Sequence, residues 1–91
     1  MTIWDKMRSN IRIIYDLQRM CDPYLLLHYI DCGITTEEEQ EIEAVADQGG
    51  FYCGMRVFLE VVQRKNNGII ELCRTLERVN QKFLADRIRQ L

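Results

Sequence analysis

The chain lacks most of the patterns that carry chemistry. No GxSxG, P-loop or HExxH spacing occurs in its 91 residues, so neither an enzyme nor a cofactor is expected. No segment approaches the roughly 18 consecutive apolar residues of a membrane span, and no basic, apolar leader opens the sequence. A cytoplasmic protein without membrane contact is the expectation. A basic excess is missing too: 12 Lys and Arg face 14 Asp and Glu, a net charge of −2, which argues against direct nucleic-acid binding. The four cysteines, Cys21, Cys32, Cys53 and Cys73, form no CxxC pair and read as free thiols packed like small apolar side chains in a reducing compartment. Pro23 is the only proline, and no repeat, low-complexity segment or linker divides the sequence, so one domain over residues 1–91 is expected. No stretch alternates apolar and polar residues long enough to make a strand.

Helical periodicity fills the space these absences leave. Hydrophobic residues at 47% and charged residues at 29% suit a soluble globule with a single core. Thr2, with Asp5 three residues on, predicts a capped first helix whose apolar stripe runs Trp4, Met7, Ile11, Ile14 and through Leu17 toward Met20. Asp22 and Pro23 open a second, with Leu25, Leu26, Tyr29 and Ile30 as its buried face and Gly33 as a left-handed stop. Thr35 and Thr36, each followed three residues later by glutamate, restart the chain as a short third helix with Ile42, Val45 and Ala46 in the core. Asp47-Gln48-Gly49-Gly50 breaks it. Phe51, Met55, Phe58, Leu59 and Val62 then mark the clearest amphipathic helix, closed by Asn66-Asn67-Gly68. Ile69, Leu72, Cys73, Leu76 and Val79 predict a fifth, Asn80 punctuates, and Phe83, Leu84 and Ile88 belong to a sixth. Short connections favour antiparallel neighbours, so the expected fold is all-α, an antiparallel six-helix bundle.

Charge is unevenly spread along these helices. Residues 1–32 carry four bases and four acids, residues 33–50 six acids and no base, and residues 51–91 eight bases and four acids. A dipolar distribution of this kind favours self-association or docking on a similar surface. Glu37, Glu38 and Glu39 also have a local role, since acids in a first helical turn oppose the helix dipole whatever the protein does. Other constellations are weaker. His28 and Cys32, at i and i+4, supply too few ligands for a tetrahedral metal site. Consecutive exposed carboxylates lack the apolar pocket that would split their pKa values for glycoside chemistry. Trp4 and Tyr15 read as core or boundary aromatics, and Tyr24, Tyr52 and the glycines near residue 50 are candidates for an exposed loop contact.

The order of helices and their local motifs resemble a caspase recruitment domain (CARD) of the death-fold superfamily. The resemblance rests on the Asp22-Pro23 entry, the run TTEEE at 35–39, GMRVFLEVVQRKNNG at 54–68 and FLADRI at 83–88, and covers essentially the whole chain. DPYLLLHYI, EEEQEIEA and GMRVFLEVVQ look most like the recruitment domains of the RIG-I-like antiviral receptors and their signalling adaptor; RIIYDLQ and FLADRI look equally like apoptotic members. The resemblance implies a homotypic CARD–CARD interaction module without an active site. It would recruit or nucleate assemblies in innate antiviral or cell-death signalling, with other CARD-containing proteins or itself as partners, as a homo-oligomer or helical filament. It implies a basic patch from the first and fourth helices meeting an acidic patch from the second and third, head to tail. In this sequence the basic candidates are Arg8, Arg12, Arg56, Arg64 and Lys65, and the acidic ones Asp31, Glu37, Glu38 and Glu41. Two alternatives stand beside it: a stand-alone CARD-only decoy inhibitor of such assemblies, and a small thiol-based metal-binding or redox helical protein.

Overall fold

Local capping sets where the helices begin. Thr2 accepts the Asp5 N–H while the Asp5 carboxylate takes the Thr2 N–H, the reciprocal box that starts α1 (Ile3–Ser9) in the computed structural model, which describes residues 2–91. Asn10 leads into α2 (Ile11–Met20) without a side-chain cap. Asp22 accepts the N–H groups of Tyr24 and Leu25 ahead of α3 (Pro23–Tyr29), and Pro23 occupies a first-turn position where its missing N–H costs nothing. A second box, between Thr35 and Glu38, starts α4 (Thr36–Gln63). Completing the bundle are α5 (Gly68–Arg78) and α6 (Lys82–Arg89); among the described residues there are six helices and no strand.

The count of six agrees with expectation, but the chain is divided differently: the expected third and fourth helices run together as α4, broken at Gly50. The single first helix is in fact two. The Asn10 N–H bonds back to the carbonyls of Lys6 and Met7, closing α1, and the backbone leaves the helical region at φ −110° and ψ 78°. Met7, Ile13 and Leu17 are buried, whereas Ile11, placed in the stripe by its spacing, is 78% exposed. The break rotates the second stripe relative to the first, and i, i+3, i+4 spacing cannot register that rotation.

The other boundary lies inside α4. Gly50 has φ 85° and ψ 177°, a region essentially reserved for glycine, and it divides α4 into segments 36–49 and 51–63. The break falls where Asp47-Gln48-Gly49-Gly50 predicts it. The two segments approach closely beyond the corner: a Cβ on Gly54 would lie 2.6 Å from that of Ala46. Phe51, expected in the core, follows the corner directly and is turned outward, about half-exposed. Leu25, Tyr29 and Phe83 are likewise exposed rather than core. Gly33 does adopt φ 78°, but α3 has already ended at its C-cap Ile30, and Gly68 opens α5 rather than closing α4.

Segment 51–63 is the centre of the molecule. Met55, Phe58, Val61 and Val62 are fully buried, and α4 packs against α2, α3 and α5, with Leu17, Leu26, Leu72 and Leu76 supplied by those neighbours. α6 adds Leu84 and Ile88 and lies on α5 and α2. The radius of gyration, 12.0 Å, is about that of a compact chain of this length. Asn80 ends α5 in a left-handed conformation at φ 64°, with its own N–H on the Glu77 carbonyl and that of Gln81 on Leu76, a Schellman arrangement with asparagine at the glycine position. The Gln81 side chain then crosses to α2. Its amide donates to the Met20 carbonyl at 2.7 Å and its oxygen accepts the Cys21 thiol at 3.2 Å.

Candidate interaction surfaces

Arg8 and Arg56 are 48 residues apart in sequence but border one groove. Its volume is about 280 Å³, and Trp4, Ile14 and Leu59 supply apolar walls. Each arginine also has a partner on its own helix: Arg8 reaches Asp5 at 2.8 Å, and Arg56 reaches Glu60 at 3.4 Å. The Arg8 contact, with the two Thr2 donors behind it, lowers the Asp5 pKa to about 2. Arg12 and Arg64 are exposed and have no ion-pair partner among the described residues. The break at Asn10 places Arg8 and Arg12 on different helices, so they are not one turn apart on a common face, and Arg64 is the C-cap of α4.

Lys65 and Glu38 come from opposite candidate patches and bind each other. Nζ and Oε1 are 2.6 Å apart, with the side chains only 17% and 21% exposed. The Lys65 hydrogen bond, followed by that from the Thr35 N–H, lowers the Glu38 pKa to about 2. This pair fastens the turn after α4 to the start of the same helix. Glu37 and Glu41, at i and i+4, project from one exposed face of segment 36–49, and no ion pair engages them among the described residues. Asp31 is exposed in the α3–α4 connection, where its carbonyl accepts from Asn67 at 3.4 Å.

Sequence reasoning missed most of a third surface. Phe51 and Tyr52 emerge at the Gly50 corner, each meeting an aromatic ring from another helix edge-on: Tyr52 with Tyr15 of α2 at 6.1 Å, and Phe51 with Tyr24 of α3 at 5.9 Å. Arg19 lies 5.6 Å over the Tyr15 ring, and the Tyr24 hydroxyl donates to the Asp47 carboxylate. Tyr24 and Tyr52 beside paired glycines give a sequence-level signal for part of this surface. Phe51 was hidden by fitting the helical stripe.

Three of the four thiols are buried. Burial pushes Cys21 up to about 12 and raises Cys32 and Cys73, so these three stay protonated; Cys53 is half-buried, and all four are free. α3 ends before Cys32, so His28 and Cys32 do not share a helix, and the His28 ring packs edge-on against Tyr29. Among the described residues no group of three His, Cys, Asp or Glu is placed to hold a metal, and no helix is long and apolar enough to cross a membrane. No family model matches the chain, and no curated protein or solved structure does.

Proposed function

We propose that the chain is a non-enzymatic, homotypic interaction module of the caspase-recruitment type, with the antiparallel death-fold arrangement of its helices, acting in cytoplasmic signalling assembly. The observation that supports this best is the segregation of charge left without an internal partner. Arg12 and Arg64 belong to α2 and α4, which with α1 border the arginine-lined groove, while Asp31, Glu37 and Glu41 gather at and just before the start of α4. Lys65 and Glu38 contribute to the fold of each copy. Arginine suits the docking role because its planar fork holds a carboxylate in two parallel hydrogen bonds. A contact between unlike patches is head-to-tail and propagates instead of closing. One such contact is weak, and clustering by an upstream partner raises the effective concentration until assemblies form.

The test reverses one charge on each side. Arg64→Glu or Glu41→Lys alone reduces concentration-dependent assembly, followed by light scattering and electron microscopy, with the melting temperature nearly unchanged because both side chains are exposed. Assembly by both variants indistinguishable from wild type at low salt would sink the reading. A chain that remains monomeric yet blocks assembly by a related domain would be the decoy.

A further inference from the structure

We infer that the aromatic surface at the Gly50 corner pairs with the same surface of a second copy about a two-fold axis. Tyr15, Phe51 and Tyr52 are each close to half-exposed, at 49%, 48% and 46%, and with Tyr24 they form two edge-on pairs, Tyr15–Tyr52 and Phe51–Tyr24, which the adjacent residues 51 and 52 link into a row running from α2 across the start of segment 51–63 to α3. Surface aromatics in mutual contact present large apolar area at little cost in side-chain entropy, and are the residues that anchor protein contacts.

The ends of the row identify the occupant. At the α2 end stands Arg19, over Tyr15 and 3.3 Å from Asp16. Asp16 has a closer partner in Arg87 at 2.7 Å, which leaves the Arg19 guanidinium, 54% exposed, available for an external carboxylate. At the α3 end, Glu39, Glu43 and Asp47 follow at i, i+4 and i+8 along segment 36–49. Glu39 and Glu43 border a hollow of about 140 Å³ with Tyr24, Leu27 and His28. The row is therefore basic at one end and acidic at the other. A two-fold axis through its middle stacks ring on ring and carries Arg19 of each copy to the acidic hollow of the other, so every charged contact is made twice. This surface is separate from Arg64 and Glu41, and its closed symmetry differs from the head-to-tail contact proposed above.

Sedimentation equilibrium of the purified chain tests the pairing, with circular dichroism melts confirming that each variant is folded. Measurements are made on wild type and on Arg64→Glu, which sets like charges against each other in the head-to-tail contact. A two-chain species persisting in that variant is expected. In the same background Arg19→Glu and Glu43→Arg each weaken it by at least about tenfold, since like charges then meet twice. Mixing the two restores a heterodimer containing one of each, because both contacts are again attractive, one in the original sense and one reversed. Phe51→Ser, at an exposed position, weakens pairing without any change of charge. An Arg64→Glu chain that is monomeric at every concentration, or charge variants whose mixture pairs no better than either alone, overturns the inference while leaving the head-to-tail reading to its own test.

Discussion

Glu38 shows how one side chain serves both a helix start and a tertiary contact. Its carboxylate takes the Thr35 N–H at 2.9 Å and the Lys65 ammonium at 2.6 Å through the same oxygen. The first partner is legible in the sequence because a capping box spans three residues. The second is 27 residues away and depends on how α4 folds back at Gly50, which no local pattern encodes. The same division holds elsewhere: Asp5 and Asp22 are where their caps predict, whereas the partnership of Arg87 with Asp16 is set only by the packing of α6 on α2. Because the folded pKa of Glu38 lies at about 2, below its ordinary 4.5, its contribution to stability is complete above pH 4.5 and is lost as pH falls through 2. Glu38→Gln is therefore expected to be less stable than wild type at neutral pH, with the gap closing between pH 4.5 and 2. Urea unfolding at a series of pH values reads that gap directly. A gap independent of pH would mean that the charge on Glu38 contributes nothing.

Helices were legible where their termini are built from neighbouring residues, and misread where direction changes within a continuous apolar pattern. Ile11 and Phe51 both satisfy helical spacing, and both face outward because a break, at Asn10 or at Gly50, precedes them. The glycines marked the second break but not its consequence, the close packing of the two α4 segments at Ala46 and Gly54. That contact makes a reciprocal prediction. Gly54→Ala inserts a methyl 2.6 Å from the Ala46 Cβ and 3.1 Å from the Pro23 ring, with backbone on one side, so relief requires the segments to separate. Overpacking costs about 1–3 kcal/mol, against a gain of about 1 kcal/mol in helix propensity, so net destabilisation is expected. Adding Ala46→Gly removes the opposing methyl and exchanges the propensity terms, so the double variant recovers most of the loss. Melting temperatures of the four-member cycle supply the coupling, and strictly additive effects would show that the two positions do not touch in solution.

At the scale of the whole molecule, the core and the charged surfaces answer to different conditions. The core is apolar side chains around segment 51–63, with no buried side-chain nitrogen or oxygen lacking a partner among the described residues. Its stability depends little on screening. The surface charges that were legible as segregated segments become, once folded, two populations. Arg8, Arg56, Lys65 and Glu38 are compensated within the chain, and Arg12, Arg64, Asp31, Glu37 and Glu41 are not. In the proposed head-to-tail contact only the second population would gain a new partner, so assembly through it would depend on ionic strength. Raising salt from about 0.1 M to 1 M shortens the screening length from about 10 Å to about 3 Å. Head-to-tail assembly is expected to fall steeply over that range, while the melting temperature moves little and pairing through the aromatic row, anchored by ring contacts, falls less. Scattering and melting curves recorded on the same samples separate the three responses. Assembly that holds or strengthens with salt would assign the contact to apolar surface and remove the charged patches from it.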